Sequence, residues 1–256
     1  MLKRSLNLLL FAGMAAGLAW SAENPFIGEW KLDSSKSRIP DEMKVESKGG
    51  NTYVFNFGGG PETIVVDGTD QPGAYGGTTL SVKADGPDTW IVERKKDSRL
   101  LLRGTWKLAQ DGRTLADYYR EFEADGSTTV SMDYIYQRSE PGSGFAADWK
   151  SIKETMNSAF LLEVKAYQGD GLTFSLLAEH DTRNAMLDGK DYPNPGGKSS
   201  SSSRRVDEHT LEMTLKAGEK VIETREITIS ADGKALTMTI RAAGQTGPDV
   251  FVFDRE

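Results

Sequence analysis

The chain is written twice. Phe26-Ile27-Gly28-Glu29-Trp30-Lys31 returns 119 residues later as Phe145-Ala146-Ala147-Asp148-Trp149-Lys150. Asp67-Gly68-Thr69-Asp70-Gln71-Pro72 returns as Asp188-Gly189-Lys190-Asp191-Tyr192-Pro193, and Asp111-Gly112-Arg113-Thr114-Leu115 as Asp232-Gly233-Lys234-Ala235-Leu236, both at an offset of 121. Tyr134-Ile135-Tyr136-Gln137-Arg138 returns, after a short deletion, as Phe251-Val252-Phe253-Asp254-Arg255, so both copies end on an arginine. A period of that length is too long for a solenoid repeat and has the size of a whole domain. Ser139-Glu140-Pro141-Gly142-Ser143-Gly144, between the copies, reads as a Pro/Gly/Ser linker. The expected organisation is a tandem pair: a first unit at 23–139, a linker at 140–144 and a second unit at 145–256. The competing organisation is one larger structure of two interlocked halves.

Each copy reads as strands. Tyr53, Phe55 and Phe57 alternate with Val54 and Asn56; Trp90 and Val92 alternate with Ile91 and Glu93; Met132, Tyr134 and Tyr136 alternate with Asp133 and Ile135. In the second copy Leu172, Phe174 and Leu176 alternate, as do Leu211, Met213 and Leu215, then Phe251 and Phe253. Period two in aromatic and β-branched residues is the pattern of half-buried strands. Asp-Gly pairs at 85–86, 111–112, 125–126 and 232–233 fall between these runs as hairpin turns. The pattern predicts eight or nine strands per copy in an up-and-down antiparallel meander that closes on itself, because closure removes exposed edges. The best helix candidate is Asp148 to Asn157, where Trp149, Ile152 and Met156 share a helical face; the matching stretch 33–40 reads as a loop.

The first residues carry a different signal. Lys3 and Arg4 precede an apolar run from Leu6 to Leu18, and Ser21 and Ala22 offer small residues for cleavage. The run falls short of the about 20 residues a bilayer needs, so 1–22 reads as a secretory signal peptide. The expected location is the periplasm or the extracellular medium, with no membrane-spanning segment after signal removal.

Composition and motifs remove most chemistry. Among 256 residues there is no cysteine, which excludes disulfides, thiolate nucleophiles and Cys-ligated metals. A net charge of −7 argues against a general nucleic-acid binder. Arg94-Lys95-Lys96 reads as a solvated hairpin turn. His180 and His209 sit beside carboxylates but have no counterparts in the first copy, and read as surface histidines. The Asp67/Asp70 and Asp188/Asp191 loops lack the ligand set of a calcium site. No nucleophile elbow is present, and the glycine runs are not followed by a phosphate-binding Lys-Ser/Thr. The expectation is a protein that is not an enzyme and holds no cofactor and no metal.

Phe26-Ile27-Gly28-Glu29-Trp30-Lys31-Leu32 resembles the opening of calycin-type barrels, the lipocalins and intracellular fatty-acid-binding proteins, which start on a Gly-x-Trp strand and end on an arginine lying over that tryptophan. The chain also resembles uncharacterised exported bacterial proteins with a lipocalin-like repeat, whose copies carry a similar Asp-Gly-x-Asp-x-Pro. The resemblance implies an all-β fold of two tandem antiparallel up-and-down lipocalin-like barrels. It assigns Trp30, Arg138, Trp149 and Arg255 as barrel-closing structural residues, a guanidinium stacked on an indole and bonded to the carbonyls of the first turn. The second copy departs from the motif at Ala147, which stands where the glycine is expected.

A barrel of this width is either filled by side chains or holds one small ligand. The alternation nominates Tyr53, Phe55, Phe57, Trp90, Tyr118, Tyr134, Tyr136, Phe174, Met213 and Phe251 as ligand-binding wall residues. Aromatic bodies with polar tips suit a small hydrophobic or amphipathic ligand. The competing reading is a structural or protein-interaction module with filled barrels and no ligand.

Overall fold

The computed structural model describes residues 24–256 except 59, 75, 178–180, 195 and 246. The expected signal peptide and His180 lie outside the described residues. The described chain is all-β, in two antiparallel sheets of ten strands each, and no helix in it is long and apolar enough to cross a membrane.

Sheet one runs, edge to edge, β4 (Pro61–Val65), β3 (Thr52–Asn56), β2 (Glu42–Gly49), β11 (Ala147–Met156), β10 (Thr128–Arg138), β9 (Thr114–Phe122), β8 (Arg99–Leu108), β7 (Thr89–Lys96), β6 (Thr78–Ala84) and β5 (Gln71–Pro72). Sheet two runs β14 (Asp181–Ala185), β13 (Gly171–Leu176), β12 (Leu161–Tyr167), β1 (Gly28–Leu32), β20 (Asp249–Arg255), β19 (Ala235–Ala242), β18 (Lys220–Ile229), β17 (Thr210–Ala217), β16 (Ser200–Arg205) and β15 (Tyr192–Pro193). The strand count exceeds the expected eight or nine because each sheet gains a two-residue strand, β5 or β15.

The sheets do not divide where the sequence copies divide. β1, which opens the first copy, pairs with β12 and β20 of the second. β11, which opens the second copy, pairs with β10 and β2 of the first. The two Trp-bearing strands are exchanged, so sheet one is one continuous stretch of chain, 42–156. The run expected to be a linker is instead the connection between hydrogen-bonded neighbours β10 and β11, with Ser139 N–H donating to Asp148 O and a bridge between Ser143 and Ala146. Chain crosses between the sheets twice, at 33–41 and at 157–160. The halves are interlocked, not strung in tandem.

The expected helix at Asp148 to Asn157 is β11. Its register against β10 shifts between Ile135 and Tyr136, a bulge that leaves Ile152 outside the ladder and exposed. One extra residue converts period two into an apparent period of three to four, which explains the misleading spacing.

One sheet curls into a nearly closed barrel and the other into a half-barrel. In sheet one the chain after β4 returns to β6, where Gly68 N–H donates to Val82 O at 2.9 Å; Gly189 N–H to Ser203 O repeats the bond in sheet two. The core of sheet one is aromatic, built on Phe55, Trp90, Trp106, Tyr136, Phe145 and Trp149; that of sheet two is mainly aliphatic, with Leu162, Val164, Leu172, Leu211, Ile227 and Leu236 around Phe26 and Trp30. A third cluster of Val130, Met132 and Phe160 joins the sheets, with Leu32, Ile39, Tyr119 and Tyr134 against it.

Candidate functional site

Both sheets are stapled by the same device, with exchanged partners. The Arg138 guanidinium lies 4.7 Å from the Trp149 ring and Arg255 lies 4.1 Å from Trp30. Arg138 donates to Gly112 O, Gly144 O and Ala146 O, and Arg255 to Gly233 O, Pro25 O and Ile27 O. Each indole N–H donates to a carbonyl four residues upstream, Trp30 to Phe26 and Trp149 to Phe145, both at 3.0 Å. At Gly28 a Cβ would lie 2.7 Å from Arg255 Nη1, so this staple requires a glycine. Both indoles are fully buried. These four residues hold the fold shut, with both indoles buried under the guanidinium groups.

The aromatic end of sheet one is filled. Trp90 stacks on Phe145 with centroids 4.0 Å apart, and Tyr53 meets Trp90 edge-on at 5.0 Å. Phe55 sits among Phe57, Trp90 and Trp106 at about 6 Å from each. Above this stack opens a cavity of about 510 Å³, lined by Asp41, Phe57, Leu80, Val92, Arg94, Gly104, Trp106, Asp117, Tyr119, Tyr134 and Tyr136. A second cavity, about 390 Å³, lies between the sheets, where Tyr119, Tyr134, Met132 and Met156 of sheet one face Phe174, Met238, Phe251 and Phe253 of sheet two.

The nominated wall residues therefore separate. Phe57, Tyr134 and Tyr136 come together on the first cavity, and Phe174 and Phe251 meet Tyr134 on the second. Tyr53, Phe55 and Trp90 are in the filled stack, and Met213 packs against the core of sheet two. Tyr118 is on the outer face, 40% exposed with Lys107 Nζ 5.6 Å from its ring centroid, because Leu115 and Asp117 take the inward positions of β9.

The polar lining of the first cavity was not nominated. Arg94, expected in a solvated turn, is buried. It donates to both Glu62 oxygens, at 2.9 and 2.7 Å, and to Thr78 Oγ1 at 3.1 Å. Glu62 also accepts the Ala74 N–H. The Asp41 carboxyl accepts the Tyr136 hydroxyl at 2.7 Å, and burial raises its pKa. Burial pushes Asp117 up to about 7, against the lowering effect of the Trp106 indole; Asp41 and Asp133 raise it further and Arg120 opposes them. Asp117 Oδ1 has no hydrogen-bond partner. Tyr119, Tyr134 and Tyr136 are all raised by burial and stay protonated as donors. Period two held the signal: Trp90 and Val92 put Arg94 inward, and Leu115 puts Asp117 inward.

The remaining motifs are occupied locally. Asp67 accepts the Thr69 N–H and hydroxyl, and Asp188 the Lys190 N–H and the Tyr192 hydroxyl. Asp70 pairs with Lys95 and Asp191 with Lys216. Among the described residues no group of three or more His, Asp or Glu is placed to hold a metal. No family model matches the chain, and no curated protein matches it in sequence.

Proposed function

We propose that the chain is an exported, non-enzymatic binding protein that holds a small hydrophobic or amphipathic molecule in a lipocalin-like barrel, with the sheet-one cavity as the site. The observation that carries this reading is a cavity of about 510 Å³ in which aromatic walls surround buried polar groups. That volume falls in the range of small-molecule sites, about 300–1,000 Å³. Aromatic bodies bind an apolar moiety, and a few polar groups fix its orientation. Export rests on the basic and apolar pattern of 1–22.

The competing reading, a structural module with filled barrels, draws support from the Phe145–Trp90 stack at the closed end. Titration with an environment-sensitive dye, followed by tryptophan fluorescence, separates the two, because Trp106 is on the cavity wall. The binding reading expects a saturable response that a Trp106→Phe variant loses. A flat titration across dyes and small amphiphiles overturns it.

A further inference from the structure

The sheet-one cavity contains a carboxyl group, Asp117, that the Trp106 indole holds and of which one oxygen keeps no hydrogen-bond partner. Asp117 is 6% exposed and lines the cavity, yet its Oδ1 has no partner. That oxygen lies over the notch left by Gly104, where a Cβ would come within 2.8 Å of it and 3.0 Å of Trp106 Nε1. A buried acceptor without a donor is destabilising, so a ligand that supplies one gains affinity. Asp41 is a second carboxyl on the same wall, already holding the Tyr136 hydroxyl. The wall's guanidinium, Arg94, is gripped by both oxygens of Glu62. With Glu62 behind Arg94, three carboxyl groups share the interior with one cation.

An ammonium would supply the donor that Asp117 Oδ1 lacks. Trp106, Tyr119, Tyr134 and Tyr136 line the same space, and aromatic rings attract a desolvated cation. Burial disfavours ionised Asp117, and a positive group beside it restores the charged form. We propose that the sheet-one cavity binds a small organic amine, whose ammonium donates to Asp117 and Asp41 and whose apolar or aromatic body packs against Phe57, Leu80 and Val92. This inference rests on the binding reading above and names the ligand class for that site. Sheet two does not repeat it, because Met238 stands at the position of Asp117, pairing with Phe251 as Asp117 pairs with Tyr134.

The test is calorimetric titration of the full mature chain at neutral pH with phenylbutylamine, phenylbutanol and phenylbutyrate, which share a body and differ in the head group. The amine is expected to bind at least about tenfold tighter than the alcohol or the carboxylate, since a charge-assisted bond is roughly twice as strong as a neutral one. Asp117→Asn should weaken the amine about tenfold and leave the alcohol nearly unchanged; Asp41→Asn should weaken the amine in the same sense and serves if the first variant fails to fold. Gly104→Ala, which fills the notch, should weaken the amine with both carboxyls intact. Binding of the alcohol or the carboxylate as tightly as the amine, or an amine affinity indifferent to the Asp117→Asn and Asp41→Asn changes, overturns the amine assignment while the binding reading stands. Silence from all three probes overturns both.

Discussion

Sheet one and sheet two are built from the same repeat, yet they place side chains of different charge at equivalent positions. Phe55 pairs with Glu62 in sheet one, and its counterpart Phe174 pairs with Arg183 in sheet two. Val92 pairs with Gly104, and its counterpart Met213 with Arg225. Asp117 gives way to Met238. What both copies keep is the staple of indole, guanidinium and turn carbonyls, together with the Asp-Gly hairpins. Closure is therefore a property of the repeat, while the interior is free to diverge: sheet one keeps buried Glu62, Arg94 and Asp117 beside its cavity, and the core of sheet two is mainly aliphatic.

The sharpest way to break the comparison is through the exchanged tryptophans. Trp149→Ala should cost roughly 3–5 kcal/mol from lost packing alone, and hydrogen exchange should accelerate in β2 and β10 of sheet one. Trp30→Ala should cost a similar amount and loosen β12 and β20. The reverse assignment would mean that each copy closes on its own strand. Next in size is Glu62→Gln, which leaves Arg94 buried without its counter-ion and should cost roughly 3 kcal/mol in chemical denaturation. The matching change at Arg183 faces no such burden, since that side chain is exposed.

Asp117→Asn has a smaller effect with a sign that depends on pH. The folded value of about 7 lies above the ordinary carboxyl value of 3.8. Ionising the group therefore opposes folding; the penalty is absent below about pH 4, grows as pH rises through the interval, and is complete above about pH 7. The variant should gain on the order of 2 kcal/mol over the parent near pH 8 and almost nothing near pH 4, read as the difference between their melts. The smallest effect belongs to Tyr118→Ala, which should stay within about 0.5 kcal/mol, because the ring is on the outer face.

Much of the fold was legible because period two and Asp-Gly turns are local signals. Leu115, Trp90 and Phe55 point inward as their alternation says, and the turns at 111–112 and 232–233 fall between the predicted strands. The strand exchange was not legible. β1 carries the same Gly-Glu-Trp-Lys sequence whichever sheet it completes, and the choice rests on the paths of 33–41 and 157–160. In β11 a bulge mimics helical spacing, which local sequence cannot distinguish from a helix. Arg94 and Asp117 escape the pattern for another reason: Arg94 reads with Lys95-Lys96 as a solvated turn and Asp117 stands beside the nominated Tyr118, yet burial of a charged residue is tolerable once a partner such as Glu62 arrives from a distant strand. The partner lies 32 residues away, beyond any local pattern.

The exchange of first strands is the claim on which the architecture rests, and fragments test it most directly. A fragment spanning 40–157 holds every strand of sheet one, including β11 with Trp149 under Arg138. A fragment spanning 24–139, the first sequence copy, lacks β11 and carries β1 with no partner. The exchange predicts dispersed amide resonances and a cooperative melt from the first fragment and neither from the second. A folded 24–139 beside an unfolded 40–157 would contradict it.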